Sequence, residues 1–272
     1  MQLFYIIFFL LISPHILFAG GQVKSLFDRL SYPESPEMIS GKLHWVEYGR
    51  GAVVVSEAPG ESRAIWQNKS CGPSAIARFK EGLIITCYDS NTLVLLDKTG
   101  ASHNVSTDKS GRTFKGPNDL ARYKNGVYFT ASGPWDVKAA PQGGVYYLSS
   151  NGHIFAVSRK NLHYPNGIAI TSDRKHLVVA EHLKNRILKY EISGDQSLRK
   201  ESVFIDLNTL PGRYSPTPID LGPDGLFVDK DGDLYIAQHG GGRILKYSKK
   251  GEYIRSYPWP SQWTSNVFVS EE

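Results

Sequence analysis

Several chemical features are scarce in this chain of 272 residues, and each scarcity argues against a class of function. The basic residues are scattered and form no run, so nucleic-acid binding is not expected despite the net charge of +5. No Gly-x-Ser-x-Gly motif is present, which leaves a serine mechanism on an α/β-hydrolase fold without support. No cluster of histidines and cysteines indicates zinc. Helical periodicity is also lacking, and the aromatic content of 12% suits pleated strands.

Short strand patterns recur along the chain as a repeated unit, punctuated by 26 glycines and 15 prolines. The clearest unit starts at Tyr164-Pro165-Asn166-Gly167 and ends at Arg186-Ile187-Leu188-Lys189-Tyr190. Similar units start at Pro73, Pro117 and Pro223, and a last one starts at Ser265 shortly before the chain stops. Repeats roughly 40 to 60 residues apart, with several short strands each, are typical of β-propellers. The sequence predicts an all-β, six-bladed β-propeller of which only the inner strand of the last blade is encoded.

The N-terminal segment has a different composition from the repeats. Residues 2–19 are almost wholly apolar, but the uninterrupted part is shorter than the ~20 residues that span a bilayer. We interpret residues 1–19 as a signal peptide, residues 20–40 as an irregular arm or one outer strand, and residues 41–272 as the propeller domain. A secreted or periplasmic protein is expected, without a stable membrane span after cleavage. The alternative is a protein anchored in the membrane by an uncleaved signal.

The two cysteines leave their pairing open. Cys71 and Cys87 flank a predicted hairpin formed by residues 74–79 and 83–86. Folding this hairpin about Lys80-Glu81 places Cys87 opposite Ser74 rather than opposite Cys71. An oxidising compartment permits a disulfide, but the loop before the hairpin has to bend back to form it.

Oxygen-bearing side chains recur at one position of the repeats. Superposition aligns Ser74, Asn118, Asn166 and Asp224, each at the start of a strand expected to line the central channel. Carboxylate and amide oxygens that converge on one axis suit a hard divalent cation such as Ca²⁺ or Mg²⁺. The alternative is that asparagine and aspartate merely satisfy tight turns before strands.

Three segments of the sequence resemble the senescence marker protein/gluconolactonase family of six-bladed propellers, which includes regucalcin and related lactonases. They run from Gly116-Pro117-Asn118-Asp119 to Thr130, from Pro165-Asn166-Gly167 to Ile187, and from Pro223-Asp224-Gly225 to Arg243. In this family a glutamate from the first blade, an asparagine and an aspartate hold one divalent cation. The resemblance implies Asn166 and Asp224 as ligands, and Asn118 as a residue that contacts substrate or metal.

The glutamate of the first blade has two possible positions. The repeat alignment favours a register that puts Lys42 or Leu43 there, which removes the carboxylate. A second register uses Glu34, within Glu34-Ser35-Pro36, as the ligand. Under the first register, Glu47 could substitute from deeper in the channel.

The resemblance implies a metal-dependent hydrolase that opens a lactone or related ester, with Asp224 as base or nucleophile. His182 and His239, after equivalent strands, are candidates for substrate binding at the rim, and Trp135 for a wall of the pocket. The expected cofactor is one divalent cation, Ca²⁺ before Mn²⁺, Zn²⁺ or Mg²⁺. A non-catalytic secreted propeller that binds a ligand or protein partner, and a strictosidine synthase-like enzyme, remain alternatives. The substrate and the oligomeric state stay open.

Overall fold

A computed structural model describes residues 4–5, 17–18, 21–22, 25–27, 29–158, 160–210 and 219–270. The predicted signal peptide lies almost wholly outside these residues, so it stays a prediction. Within the described part of the chain, no helix is both long enough and apolar enough to cross a membrane.

The described chain is almost entirely β-sheet and forms five four-stranded antiparallel blades rather than six. Three short strands precede the blades: β1 (Phe4–Tyr5), β2 (Leu17–Phe18) and β3 (Gly21–Gln22). Blade 1 contains β4 (Pro33–Ile39), β5 (Lys42–Glu47), β6 (Ala52–Ala58) and β7 (Glu61–Gln67). Blade 2 contains β8 (Pro73–Phe79), β9 (Gly82–Cys87), β10 (Thr92–Leu96) and β11 (Ser102–Val105). Blade 3 contains β12 (Pro117–Tyr123), β13 (Gly126–Ala131), β14 (Gly144–Leu148) and β15 (Ile154–Ala156).

Blade 4 contains β16 (Pro165–Ile170), β17 (His176–Glu181), β18 (Arg186–Ile192) and β19 (Leu198–Asp206). Blade 5 contains β20 (Gly222–Val228), β21 (Leu234–His239), β22 (Arg243–Tyr247) and β23 (Tyr253–Pro258). Three short 3-10 helices occur between or after these strands. Tyr48–Arg50 connects two strands of blade 1, His182–Lys184 connects two strands of blade 4, and Leu207–Thr209 follows blade 4. The first strands of successive blades lie side by side, which places them around the central channel.

The sixth sector of the ring is incomplete in the described chain. It contains β24 (Phe268–Val269), which pairs only with β1. Val267 and Val269 are buried against the blade-5 residues Tyr235, Ala237 and Ile244. The predicted sixth inner strand is therefore present, but a complete sixth blade is not.

Blade 1 corrects the predicted domain boundary. The segment expected to be an irregular arm or outer strand contains β4, which is the innermost strand of blade 1. The propeller thus begins at Pro33 rather than at residue 41. The face of Trp45 is covered by Phe27, whose ring centroid lies 4.8 Å from that of Trp45.

The core consists of apolar layers between neighbouring blades. Between blades 3 and 4, for example, Tyr128, Val145, Val179 and Leu188 pack in one cluster. This arrangement follows from the alternation along each strand, because one side chain in two faces the next blade.

The structure joins Cys71 to Cys87, with 4.6 Å between their Cα atoms. The hairpin prediction misplaced the pairing because β8 contains a bulge: Pro73, not Ser74, lies opposite Cys87. Gly72 adopts a positive φ of 57°, and its carbonyl accepts a hydrogen bond from the Tyr88 backbone at 2.9 Å. The chain before β8 therefore bends back and brings Cys71 alongside Cys87.

Candidate active site

The inner strands of the five blades share one local structure at the channel mouth. Each begins at a proline or one residue before it, and each shows a register shift immediately afterwards. Such bulges redirect one side chain out of the normal alternation, and they are common beside active sites. The residues that follow the five prolines are Glu34, Ser74, Asn118, Asn166 and Asp224.

Glu34 takes this position in blade 1. Pro33 lies opposite Glu47 at the end of β5, as Pro165 lies opposite Glu181 at the end of β17. The register that put Lys42 or Leu43 at the channel mouth is therefore wrong, because those residues lie in the second strand of the blade. The second register, which used Glu34, agrees with the pairing; the repeat alignment favoured the other one because blade 1 has Glu-Ser-Pro where blades 4 and 5 have Asn-Gly and Asp-Gly.

Three of the predicted ligands converge. The carboxyl groups of Glu34 and Asp224 interact electrostatically, and the side chain of Asn166 hydrogen-bonds Asp224. Burial raises the pKa of Glu34 to about 8, although hydrogen bonds from Ser265 and Asn266 act in the opposite direction. Burial, and next the Glu34 charge, raise the pKa of Asp224 well above its usual range. Two carboxyl groups thus share a buried site in which each disfavours ionisation of the other.

Glycines bring these blades into close approach. A side chain at Gly167, directly after Asn166, would collide with the carbonyl oxygen of Asp224. At Gly225, directly after Asp224, it would collide with the side chain of Asn266. The Asn-Gly and Asp-Gly pairs are therefore needed for packing between blades as well as for the turn.

Asp119 is a further buried carboxylate that the sequence comparison did not single out. Its Oδ2 accepts a hydrogen bond from the Ile168 backbone at 3.0 Å, and its Oδ1 accepts one from the Leu120 backbone at 2.8 Å. Burial raises the pKa of Asp119 to about 7 despite these bonds. Its charge also raises the pKa values of Glu34 and Asp224. The available signal was an acidic residue at the position that holds glycine in blades 4 and 5.

The donor set fits a hard divalent cation. No lysine or arginine is among the groups that shift the pKa of Glu34 or Asp224. Buried carboxylates without a positive partner are costly unless a cation is bound or they take up protons. Within the described ranges, no group of three or more histidine, cysteine, aspartate or glutamate residues is arranged to hold a metal. The set here has a different composition, with two carboxylates and the amide of Asn166, all oxygen donors suited to Ca²⁺ or Mg²⁺.

Asn118 lies at the same mouth but in a different hydrogen-bond network. Its Nδ2 donates to Ser132 Oγ at 3.0 Å, and its backbone carbonyl accepts from Thr86 Oγ1 at 2.5 Å. These bonds hold Asn118 on the rim between blades 2 and 3. The contact of Asn118 with substrate or metal stays a prediction.

Ser74 and Glu47 have structural contacts instead. Ser74 Oγ lies 3.0 Å from the carbonyl oxygens of both Pro117 and Asn118, and its single proton is donated to one of them, which joins blade 2 to blade 3. Glu47 is fully buried and accepts hydrogen bonds from Arg50 Nη1 at 3.2 Å and from the Ser31 backbone at 3.2 Å. Both side chains are thus engaged in contacts within the fold.

The two predicted rim histidines differ in their environment. His182 is only 1% exposed, with Nδ1 3.2 Å from the Pro223 carbonyl and Nε2 3.1 Å from the Ile219 carbonyl. Burial lowers the pKa of His182 to about 3, so the ring is neutral and donates to one of the two carbonyls. His239 is half-buried, and its Nδ1 lies 2.9 Å from the Asp220 carbonyl. Only His239 is placed at the open rim, while His182 connects blade 4 to blade 5.

Aromatic rings form one side of the mouth. The ring centroid of Trp135 lies 4.5 Å from that of Tyr164 and 4.7 Å from that of His182. Tyr164 directly precedes Pro165 and Asn166, and the Asp224 charge is among the causes that raise its pKa. The aromatic rings therefore extend from Trp135 to Tyr164 beside the carboxylate site. The role of Trp135 as a wall of the pocket stays a prediction.

Comparison with known proteins agrees with this architecture. The lactonase drp35 of Staphylococcus haemolyticus is 27% identical over 255 residues, which are 89% of this chain and 71% of that protein. The chain spans 54% to 67% of three other staphylococcal lactonases of the same name.

Solved structures show the same fold at low identity. A gluconolactonase from Xanthomonas campestris superposes with a TM-score of 0.73 at 21% identity, covering 90% of this chain and 84% of that one. The calcium-binding protein regucalcin from Agrobacterium tumefaciens superposes with a TM-score of 0.69 at 21% identity, covering 87% and 77%. The family model described as "SMP-30/Gluconolactonase/LRE-like region" matches residues 32–272. The chain belongs to this family.

Proposed function

We propose that this protein is a metal-dependent hydrolase that opens a small lactone or related ester at the mouth of its propeller channel. The observation that carries the proposal is the convergence of Glu34, Asn166 and Asp224 in a buried site without a neutralising lysine or arginine. Membership of a family named for gluconolactonase, and the likeness to staphylococcal lactonases, support lactone hydrolysis.

In this proposal Glu34, Asn166 and Asp224 hold one divalent cation, with Ca²⁺ favoured by the oxygen donors. A bound cation supplies Lewis-acid polarisation of the lactone carbonyl. Asp224 accepts a proton from the attacking water and returns it to the ring oxygen as the ring C–O bond breaks, which gives the hydroxy acid. Asn166, hydrogen-bonded to Asp224, holds the carboxylate in position. Asn118, held by Ser132, orients the substrate at the rim.

The reason for a non-catalytic propeller was the missing carboxylate of the first blade. With Glu34 in the proposed ligand set, no specific observation favours that alternative.

The proposal extends to the ring and to localisation. We infer that β24, with Ser265 and Asn266, belongs to a sixth blade, since these two residues hydrogen-bond Glu34 across the channel mouth. Export through the apolar N-terminal segment is supported by the Cys71–Cys87 disulfide, because such bonds persist in oxidising compartments. N-terminal sequencing of the protein recovered outside the cytoplasm tests this: export predicts a new N-terminus near Gly20, and retained residues 1–19 contradict cleavage.

The decisive experiment measures hydrolysis of γ-butyrolactone, δ-valerolactone and D-glucono-δ-lactone after EDTA treatment and after re-addition of Ca²⁺, Mn²⁺, Zn²⁺ or Mg²⁺. We expect turnover that is lost with EDTA, restored by a cation and abolished in Asp224→Asn. The matched control is Asp231→Asn, which removes an exposed carboxylate from the same blade. Turnover that survives EDTA would favour strictosidine synthase-like chemistry, and no turnover of any lactone contradicts the proposal.

A further inference from the structure

The segment between β13 and β14 carries an aromatic side chain across the channel mouth. Trp135 belongs to residues 132–143 of blade 3, yet its ring contacts His182 of blade 4 and lies 6.4 Å, centroid to centroid, from His239 of blade 5. The Trp135 ring is steeply inclined to both imidazoles, with interplanar angles of 50° to His182 and 84° to His239. The side chain remains 38% exposed, so part of the ring faces the mouth.

A second tryptophan stands on the far side of His239. The ring centroid of Trp263 lies 5.0 Å from that of His239, and the two residues also form a backbone bridge. Trp263 is 39% exposed. The partly exposed indoles of Trp135 and Trp263 therefore flank the half-buried imidazole of His239 on the side of blade 5. Water contacts the exposed apolar surface of these indoles, and a ligand could cover it.

Several polar groups of this rim are already engaged by the protein. Ser132 Oγ donates to the Pro165 carbonyl at 2.8 Å, and Tyr88 Oη donates to the Gly133 carbonyl at 3.3 Å. The two nitrogens of His182 lie against backbone carbonyls. A ligand with many hydroxyl groups would find few free partners on this side of the mouth, because each hydrogen bond to it would replace an internal one.

Charge does not favour an anionic ligand here. Lys138 and Lys184 lie on neighbouring segments, but none of the described cation–π pairs involves Trp135, Tyr164 or Trp263. Asp220 lies beside His239 and adds negative charge. The exposed surface of Trp135 and Trp263 is therefore aromatic, and the charge beside it is the negative one of Asp220.

We propose that Trp135 and Trp263 form a subsite that stacks against a flat aromatic substituent of the substrate, and that Trp135 is a specificity-determining residue. This inference rests on the proposed lactone hydrolysis. The continuity of Trp135 with Tyr164, directly before Asn166, puts the subsite beside the reacting centre. The protein is expected to prefer lactones that carry an aromatic ring to small aliphatic or polyhydroxylated lactones.

The experiment compares kcat/KM for γ-phenyl-γ-butyrolactone, γ-cyclohexyl-γ-butyrolactone and γ-butyrolactone in wild type, Trp135→Ala and Trp135→Phe. In Trp135→Ala we expect about a tenfold loss on the phenyl compound, or ~1.4 kcal/mol, mainly through KM. The loss on γ-butyrolactone should stay below threefold, and Trp135→Phe should restore most of the preference. Phe155→Ala is the control, since it removes an exposed aromatic ring from the outer strand of the same blade.

Equal losses on all three lactones would overturn the subsite, because they indicate a structural effect. So would an equal preference for the cyclohexyl compound, or a higher kcat/KM for D-glucono-δ-lactone than for the phenyl lactone in wild type.

A binding measurement separates this inference from the proposed function. Titration calorimetry with the ring-opened product 4-hydroxy-4-phenylbutanoate should give a Kd that rises about tenfold in Trp135→Ala but not in Asp231→Asn. If no lactone is hydrolysed while this difference persists, the proposed reaction fails and the subsite stands. If lactones are hydrolysed and the product binds both proteins equally, only the subsite fails.

Discussion

Blades 2 and 5 place different side chains at the same position of the channel mouth. Ser74 follows Pro73 in β8, and Asp224 follows Pro223 in β20, each within a bulge. Ser74 donates to a carbonyl of the next blade, whereas Asp224 lies in the buried carboxylate site with Glu34. The same backbone geometry thus supports a structural connection in one blade and a candidate reacting group in another.

The residues opposite Pro73 and Pro223, at the ends of the first hairpins of blades 2 and 5, also differ in their contacts. Opposite Pro73 stands Cys87, which is joined to Cys71 by a disulfide. Opposite Pro223 stands Gln238, whose Oε1 accepts a hydrogen bond from Arg243 Nε at 2.6 Å. Blade 2 is held covalently and by hydroxyl groups, while blade 5 contributes the carboxylate that is proposed to react. The comparison teaches that propeller symmetry predicts where side chains stand but not which of them act.

Replacing the carboxylate of blade 5 by the hydroxyl of blade 2 is expected to have the largest effect on activity. Asp224→Ser puts the blade-2 residue into blade 5 and should lower kcat/KM for lactones by roughly 10²–10⁴, because the proposed base is lost. Ser74→Ala should leave kcat/KM within threefold but lower the free energy of unfolding by about 1–3 kcal/mol, since the hydrogen bond to blade 3 is lost. Initial rates and urea unfolding of both variants test this. An activity loss in Ser74→Ala as large as in Asp224→Ser would contradict the division.

Removing the disulfide tests the structural side of the comparison. The bond closes a loop with a sequence separation of 16 residues, so Cys71→Ser combined with Cys87→Ser should lower the free energy of unfolding by about 3 kcal/mol. Urea unfolding measures the loss. Adding reductant should destabilise the wild type and leave the double variant unchanged; a wild type insensitive to complete reduction would refute the expectation.

Glu34→Gln tests whether blade 1 acts with blade 5. Loss of one of two carboxylates should weaken Ca²⁺ binding by roughly 10- to 100-fold, because the charge of the ligand set determines the affinity. Titration calorimetry on EDTA-treated protein measures this. Glu61→Gln is the control, as it removes an exposed carboxylate from β7 of the same blade. Unchanged affinity in Glu34→Gln would remove Glu34 from the ligand set.

Substitution of His182 should have the smallest effect, which appears as a change in how the free energy of unfolding depends on pH. Its folded-state pKa of about 3 lies below the usual value of about 6.5. The unfolded chain therefore takes up a proton below pH 6.5 that the folded protein takes up only near pH 3. The free energy of unfolding should fall as pH decreases through this window, by up to about 1.4 kcal/mol per pH unit.

Urea unfolding between pH 4 and 7 tests this dependence. His182→Gln should have a shallower slope than wild type, while His103→Gln, which removes an exposed imidazole, should retain the wild-type slope. Equal slopes in His182→Gln and wild type would show that the ring is not buried in its neutral form.

The sequence by itself determined the strand repeats, the positions of Asn118, Asn166 and Asp224 at the starts of inner strands, and the family. These are local properties: proline, Asn-Gly and Asp-Gly mark the start of a strand, and alternation marks its buried face. Asp224 and Asn166 could be assigned together because their segments resemble each other closely.

Only the tertiary structure decided the partners of these residues. The sequence left two registers open for blade 1, since Glu34 has a different local sequence from its counterparts, and the pairing of β4 with β5 decided for Glu34. Ser74, the cysteine pair and His182 depend on what the bulge or the next blade puts opposite them. Trp135 reaches two other blades from a loop. Such contacts join residues far apart in the chain, where neither periodicity nor turn chemistry carries information.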